Sequence, residues 1–161
     1  MILKKVSLII KLIISILVCQ GAGLIGSVFT RRAIPDWYAV IHKPAFNPPN
    51  WVFAPVWAGL FTLMGIAAFL VWRKGVQAPG VKSALYVFLL QLTLNSLWSI
   101  VFFGCHSIRG GLAVVACLFL AILWMIKVFL PISKPAAWLL IPYVAWVGFA
   151  FILNAALLIL N

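Results

Sequence analysis

Indoles and carboxamides at helical spacing are the groups with which this chain could do chemistry. Gln91, Asn95 and Trp98 recur at i, i+4 and i+7, which stacks two amides and an indole along one helix face. Pro142, Trp146, Ala150 and Asn154 repeat every four residues, and Trp57 and Phe61 also stand four apart. Three such faces turned toward one another would make a pocket with aromatic walls and a few amide donors and acceptors. That chemistry suits a large, flat, mostly apolar ligand. Leaving an amide unpartnered in hydrocarbon costs on the order of 2–7 kcal/mol, so the Gln91–Asn95 face must point into the protein, toward another helix or toward a cavity. Ala150, small in a bulky stripe, either leaves room for a ligand or lets two helices approach.

Other chemistry is excluded by what is missing. Asp36 is the only carboxylate side chain, so there is no acid–base dyad, and no nucleophile–base pair is legible. His42 and His106 fall in loops and are read as solvated residues, not as axial ligands to a metal. Cys19, Cys105 and Cys117 are odd in number, lack metal-ligand spacing and are read as packing residues. No metal site and no conventional catalytic residue is therefore expected. A proton-coupled pump or ion channel would carry ionisable residues in mid-span, and none is seen.

The elements that position these residues follow from composition. With 66% hydrophobic and 8% charged residues and a mean hydropathy of +1.23, the chain lies far outside the range of water-soluble domains. A hydrocarbon core about 30 Å thick needs roughly 20 apolar residues per helix. Five such runs are present, near residues 6–29, 51–72, 83–103, 111–130 and 137–160. The alternation of a membrane barrel is absent. The expected fold is all-α: an integral membrane bundle of five transmembrane helices forming a single domain over residues 1–161.

The net charge of +11 comes from basic residues dispersed at helix ends, without the patch that nucleic acid would require, so membrane lipid is the expected surrounding partner. Lys4, Lys5, Arg73, Lys74, Lys82 and Lys134 share one side, with Lys11 and Lys127 near enough to snorkel toward it; Arg31, Arg32, Lys43 and Arg109 share the other. This predicts the N-terminus inside and the C-terminus outside a bacterial-type cell membrane. The first run is expected to be retained rather than cleaved as a signal peptide, because Lys11 interrupts it and no small-x-small cleavage site closes it.

Between the first two runs lies a loop near residues 30–50 that is not an ordinary connector. From Asp36 to Trp57 the chain holds four of its nine prolines, three tryptophans, two phenylalanines and a tyrosine. Pro44, Pro48 and Pro49 restrict both themselves and the residues before them, so the loop is read as a preorganised lid. Asn47 or Asn50 is expected to cap the following helix. Trp37, Tyr38 and Trp51 would otherwise be ordinary interfacial aromatics.

The pattern W-Y-x-x-I-x-K-P-x-F-x-P-P-x-W-V-F-x-P-x-W from Trp37 to Trp57 resembles the translocator protein family, whose bacterial members are called tryptophan-rich sensory proteins. Gln91-Leu92, Asn95, Trp98 and Phe102-Phe103 resemble its third helix. Trp138, Leu140, Pro142-Tyr143, Trp146, Phe149-Ala150 and Leu153-Asn154 resemble its fifth. The resemblance implies a homodimeric receptor or sensor that binds porphyrin or haem as a ligand and requires no cofactor, with movement of the ligand across or along the membrane as an extension of that role. It assigns Trp57, Phe61, Asn95, Trp98, Trp146 and Ala150 to ligand contact and Trp37, Pro48, Pro49 and Trp51 to the lid. An alternative implied by the same resemblance is light- and oxygen-dependent breakdown of porphyrin, with Trp57 and Trp146 as the reactive indoles. The Tyr and Arg that mark sterol binding in animal members are absent after Leu153, so sterol traffic is not expected.

Overall fold

The computed structural model describes the chain from Ile2 to Asn161, with side chains from Val6 onward; Lys4 and Lys5, used above for orientation, lie outside the described side chains. No strand occurs among the described residues. The helices are α1 (Ile2–Ala33), α2 (Trp37–Val40), α3 (Asn50–Trp72), α4 (Val81–Ser99), α5 (Ile108–Phe129), α6 (Lys134–Trp138) and α7 (Ile141–Leu160). Among the described residues, five spans are long and apolar enough to cross a membrane, the third running from α4 through a π-helical turn, Ile100–Gly104, and the fifth combining α6 and α7. The fold is thus an all-α bundle.

Two departures from a plain five-helix reading have local causes. The fifth run is not one helix, because Pro142 has no N–H to offer the Trp138 carbonyl and its ring crowds that group. The chain turns at Leu139–Leu140 and restarts with Pro142 in the first turn of α7, where a missing N–H costs nothing. At the end of α4 the backbone widens, with the Cys105 N–H reaching Ile100 O at 2.9 Å. That turn sets Phe102 and Phe103 side by side, both buried, against the loop that carries Tyr38.

α1 packs on α3 and α4, α4 on α5, and α5 on α7, while α6 packs on α3 and α5. α3 and α7 barely meet. Their separation keeps a space open inside the ring. The main core, including Met64, Val71, Leu118, Ile122, Met125 and Phe129, joins α3 to α5, and a smaller cluster around Tyr38, Phe102 and Leu157 closes the end beside α2. Of the three cysteines only Cys19 packs inside; Cys105 and Cys117 are exposed.

Candidate functional site

A cavity of about 340 Å³ lies between α1, α3, α4 and α7 in the half of the bundle beside α2. Trp57 and Phe61 of α3, Asn95 and Trp98 of α4, and Trp146 and Ala150 of α7 all line it. Helical periodicity explains the company they keep. On α3 the lining residues Asn50, Phe53, Ala54, Trp57, Ala58 and Phe61 follow one face at steps of three or four. The aromatic rings hold one another in edge-on and tilted pairs, with Phe53 against Trp146 at 6.0 Å, Trp57 against Phe61 at 5.6 Å, and Trp98 stacked on Phe102 at 5.4 Å between centroids. Pairs of this kind fix ring positions before any ligand arrives.

The amides of α4 divide between structure and cavity. Asn95 Nδ2 donates to the Tyr143 hydroxyl oxygen at 2.9 Å, and that hydroxyl donates onward to Gln91 Oε1 at 2.9 Å. One phenol on α7 thus serves two amides on α4. Gln91 is wholly buried and does not line the cavity; its Nε2 has no partner among the described residues. Higher up, Trp98 Nε1 donates to Asn154 Oδ1 at 3.3 Å and Asn154 Nδ2 donates to Ile108 O at 3.0 Å. The face therefore supplies interhelical hydrogen bonds and a cavity wall together.

The loop residues named as a lid stand elsewhere. Trp51 is 74% exposed and turned away, because it sits one residue off the α3 face that carries Asn50, Ala54 and Trp57. Pro48 and Pro49 precede α3 without lining the cavity. Trp37 anchors the loop, edge-on to Phe102 at 5.3 Å and stacked on the His106 ring at 4.9 Å. Tyr38, Asn50, Phe53 and Arg31 are what border the cavity at this end.

Neither Asn47 nor Asn50 caps α3, whose N-cap residue is Pro49 with no side-chain hydrogen bond. Asn47 ties the loop instead, accepting from the Tyr38 hydroxyl at 2.8 Å and donating to Pro48 O at 3.0 Å. Burial pushes the Tyr38 phenol above its ordinary range, against the opposing pull of that bond to Asn47. The Lys43 ammonium lies 4.8 Å over the Tyr38 ring. The Asn161 side chain clasps the His42 backbone, its Oδ1 accepting from the backbone N–H at 2.9 Å and its Nδ2 donating to the backbone carbonyl at 3.0 Å. His42 and His106 are both exposed and outside the cavity lining.

The largest contribution that sequence reasoning missed comes from α1. Gly23, Gly26, Ser27, Thr30 and Arg31 line the cavity, and a Cβ on Gly23 would stand 2.5 Å from the Phe61 ring. The signal was present as the small residues Ala22, Gly23 and Gly26, but a small-xxx-small pattern does not name its partner. Here α3 and α4 are the partners, since Gly26 faces Ser99 in the same way at 2.8 Å. Gln20, a lone amide in an apolar run, is satisfied by Ala58 O at 3.1 Å and Thr62 Oγ1 at 3.0 Å. Arg31 is the one charged residue of the lining.

Residues 15–160 match the model of the TspO/MBR family. A tryptophan-rich protein TspO of Archaeoglobus fulgidus is 41% identical over 153 residues, covering 95% of this chain and 98% of that protein. The translocator protein of Ovis aries is 34% identical over 148 residues, covering 86% of this chain and 82% of its own length. A tryptophan-rich sensory protein of Cereibacter sphaeroides is 36% identical over 126 residues, with 78% of this chain and 77% of that protein covered.

Proposed function

We propose that this chain, which belongs to the TspO/MBR family and is an integral multi-pass membrane protein, is a receptor for porphyrin or a related tetrapyrrole held in the cavity between α1, α3, α4 and α7. The observation that carries the reading is the pair Trp57 and Trp146, set on two helices whose backbones stand apart and meet through aromatic side chains, with Phe53, Phe61 and Trp98 completing the aromatic walls. A macrocycle inserted between such walls stacks on indole and phenyl faces, each aromatic contact contributing about 0.5–1.5 kcal/mol beyond its buried area. The cavity is at the small end of the usual range for ligand sites, and Leu24 and Arg31, both exposed, border it on α1. A flat ligand enters edge first there, leaving its carboxylates beside the guanidinium.

Binding by shape and stacking requires no iron, so metal-free protoporphyrin should titrate the purified protein saturably and quench its tryptophan fluorescence. Trp57→Leu with Trp146→Leu should weaken that binding about fivefold to 150-fold, the sum of two lost aromatic contacts. Unchanged affinity in the double variant would remove the site. Because both indoles border one cavity, photochemical breakdown of the bound porphyrin is the second reading. Under light and oxygen it requires a new absorbing product that disappears in either single tryptophan variant. Passage of the ligand across or along the membrane, and pairing into a homodimer, extend the same proposal; cross-linking in lipid that yields only monomers at every protein concentration would overturn the dimer.

A further inference from the structure

A second cleft lies at the opposite end of the bundle, where the turn from α3 to α4 meets the turn from α5 to α6. Its volume is about 510 Å³. Ala78, Pro79, Val81, Val128, Pro131 and Ile132 give it apolar walls, and Lys74 and Lys127, both exposed, stand on it. Arg73, Lys82 and Lys134 sit at the same helix ends, and Lys11 lies nearby with its ammonium 5.5 Å from the Trp72 ring. The chain has twelve basic residues and one acidic residue, Asp36, which stands at the α2 end. No carboxylate side chain is available to neutralise this cleft. Its counter-charge comes from outside the protein.

We propose that this cleft is a binding site for the phosphate headgroup of an anionic phospholipid. Two features choose a lipid over a free anion. The walls are mostly apolar, which suits glycerol and the start of an acyl chain and leaves a small hydrated anion with few partners. The cleft also lies where four membrane-length spans have their ends, which is where lipid headgroups flank a hydrocarbon core. Lys74 approaches from the α3–α4 connection and Lys127 from the C-terminal end of α5, so the phosphate joins that connection to α5. Gly80 provides no side chain to cap α4, which leaves the Lys82 and Ser83 N–H groups as additional donors at the cleft edge, the Val81 N–H being taken by Ala78 O at 3.2 Å.

The test is native mass spectrometry of the full chain released from detergent, titrated with phosphatidylglycerol, with phosphatidylcholine and with inorganic phosphate. Phosphatidylglycerol should be retained in preference to phosphatidylcholine. K74Q with K127Q should reduce that retention roughly tenfold to thirtyfold, from about 1 kcal/mol for each cation near a charged surface. K74R with K127R should keep it, and K43Q with R109Q, at the other end, should leave it unchanged. Protoporphyrin titration of the K74Q/K127Q protein should remain that of the parent, which certifies its fold and separates this site from the cavity. Equal retention of the two lipids, equal retention by K74Q/K127Q, or inorganic phosphate displacing the lipid at equal concentration would overturn the proposal.

Discussion

Tyr143 shows how one hydroxyl can hold a membrane core in register. It accepts from Asn95 and donates to Gln91, so replacing it with phenylalanine strands a buried donor and a buried acceptor at once. Each stranded group costs about 1–3 kcal/mol. Tyr143→Phe should therefore lower the thermal unfolding midpoint by roughly 4–24 °C in detergent, and an unchanged midpoint would show that the two amides re-pair without it. Arg31 acts at the same scale but on the ligand. Arg31→Gln should weaken protoporphyrin binding about twofold to fivefold, the range of an exposed ion pair, while leaving the affinity for protoporphyrin dimethyl ester as it was. If both ligands lose affinity equally, Arg31 supports the cavity and does not recognise carboxylate. Tyr143 and Arg31 were hard to see in the sequence for opposite reasons. The phenol lay beside Pro142 in an apolar stripe, and the guanidinium looked like one of several charges at a helix end.

Among the elements, α1 depends most on close approach. A Cβ on Gly65 of α3 would fall 2.7 Å from the Ile16 backbone of α1, a clash that only movement of a whole helix relieves. Gly59, on the same helix, has nothing within 4 Å of such a carbon. Gly65→Ala should accordingly destabilise the protein by about 1–3 kcal/mol, whereas Gly59→Ala should be neutral or stabilising by up to about 1 kcal/mol through helix propensity. Paired melting curves check this, and equal midpoints for the two variants would contradict the α1–α3 packing. The spacing of apolar runs made α3, α4 and α5 legible almost to their ends. Pro142, which lacks the N–H that a helix interior needs, signalled a kink in the fifth run but not its division into α6 and α7, and nothing in the apolar spacing marked the π-helical turn that finishes α4.

For the whole molecule, the basic residues separate onto two ends that the alternation of the five spans keeps apart. One end holds Arg73, Lys74, Lys82, Lys127 and Lys134; the other holds Arg31, Arg32, Lys43 and Arg109. We propose that the first end is cytoplasmic. A reporter active only outside the cytoplasm should then be active when fused after Asn161, and activity of a cytoplasmic reporter at that position would reverse the orientation. The same polarity separates the two recognition surfaces, with the aromatic cavity beside α2 and the basic cleft at the far end.

The sequence by itself determined the solvent, the number of spans and the faces that must turn inward. Unpaired amides and long apolar runs have only one tolerable arrangement in hydrocarbon. It also carried the faces that hold Trp57 and Phe61, Asn95 and Trp98, and Trp146 and Ala150, because helical periodicity projects each group onto a single side, while the family resemblance singled out those six from among the other residues of the same faces. Only the tertiary structure decided which helices those sides meet. It drew α1 into the cavity wall through Gly23 and Gly26, turned Trp51 outward and used Trp37 as an anchor, and kept α3 and α7 apart. The physical reason is that periodicity fixes a direction about one helix axis, whereas a cavity is defined by the distances between axes, and those are set by packing among residues far apart in the chain.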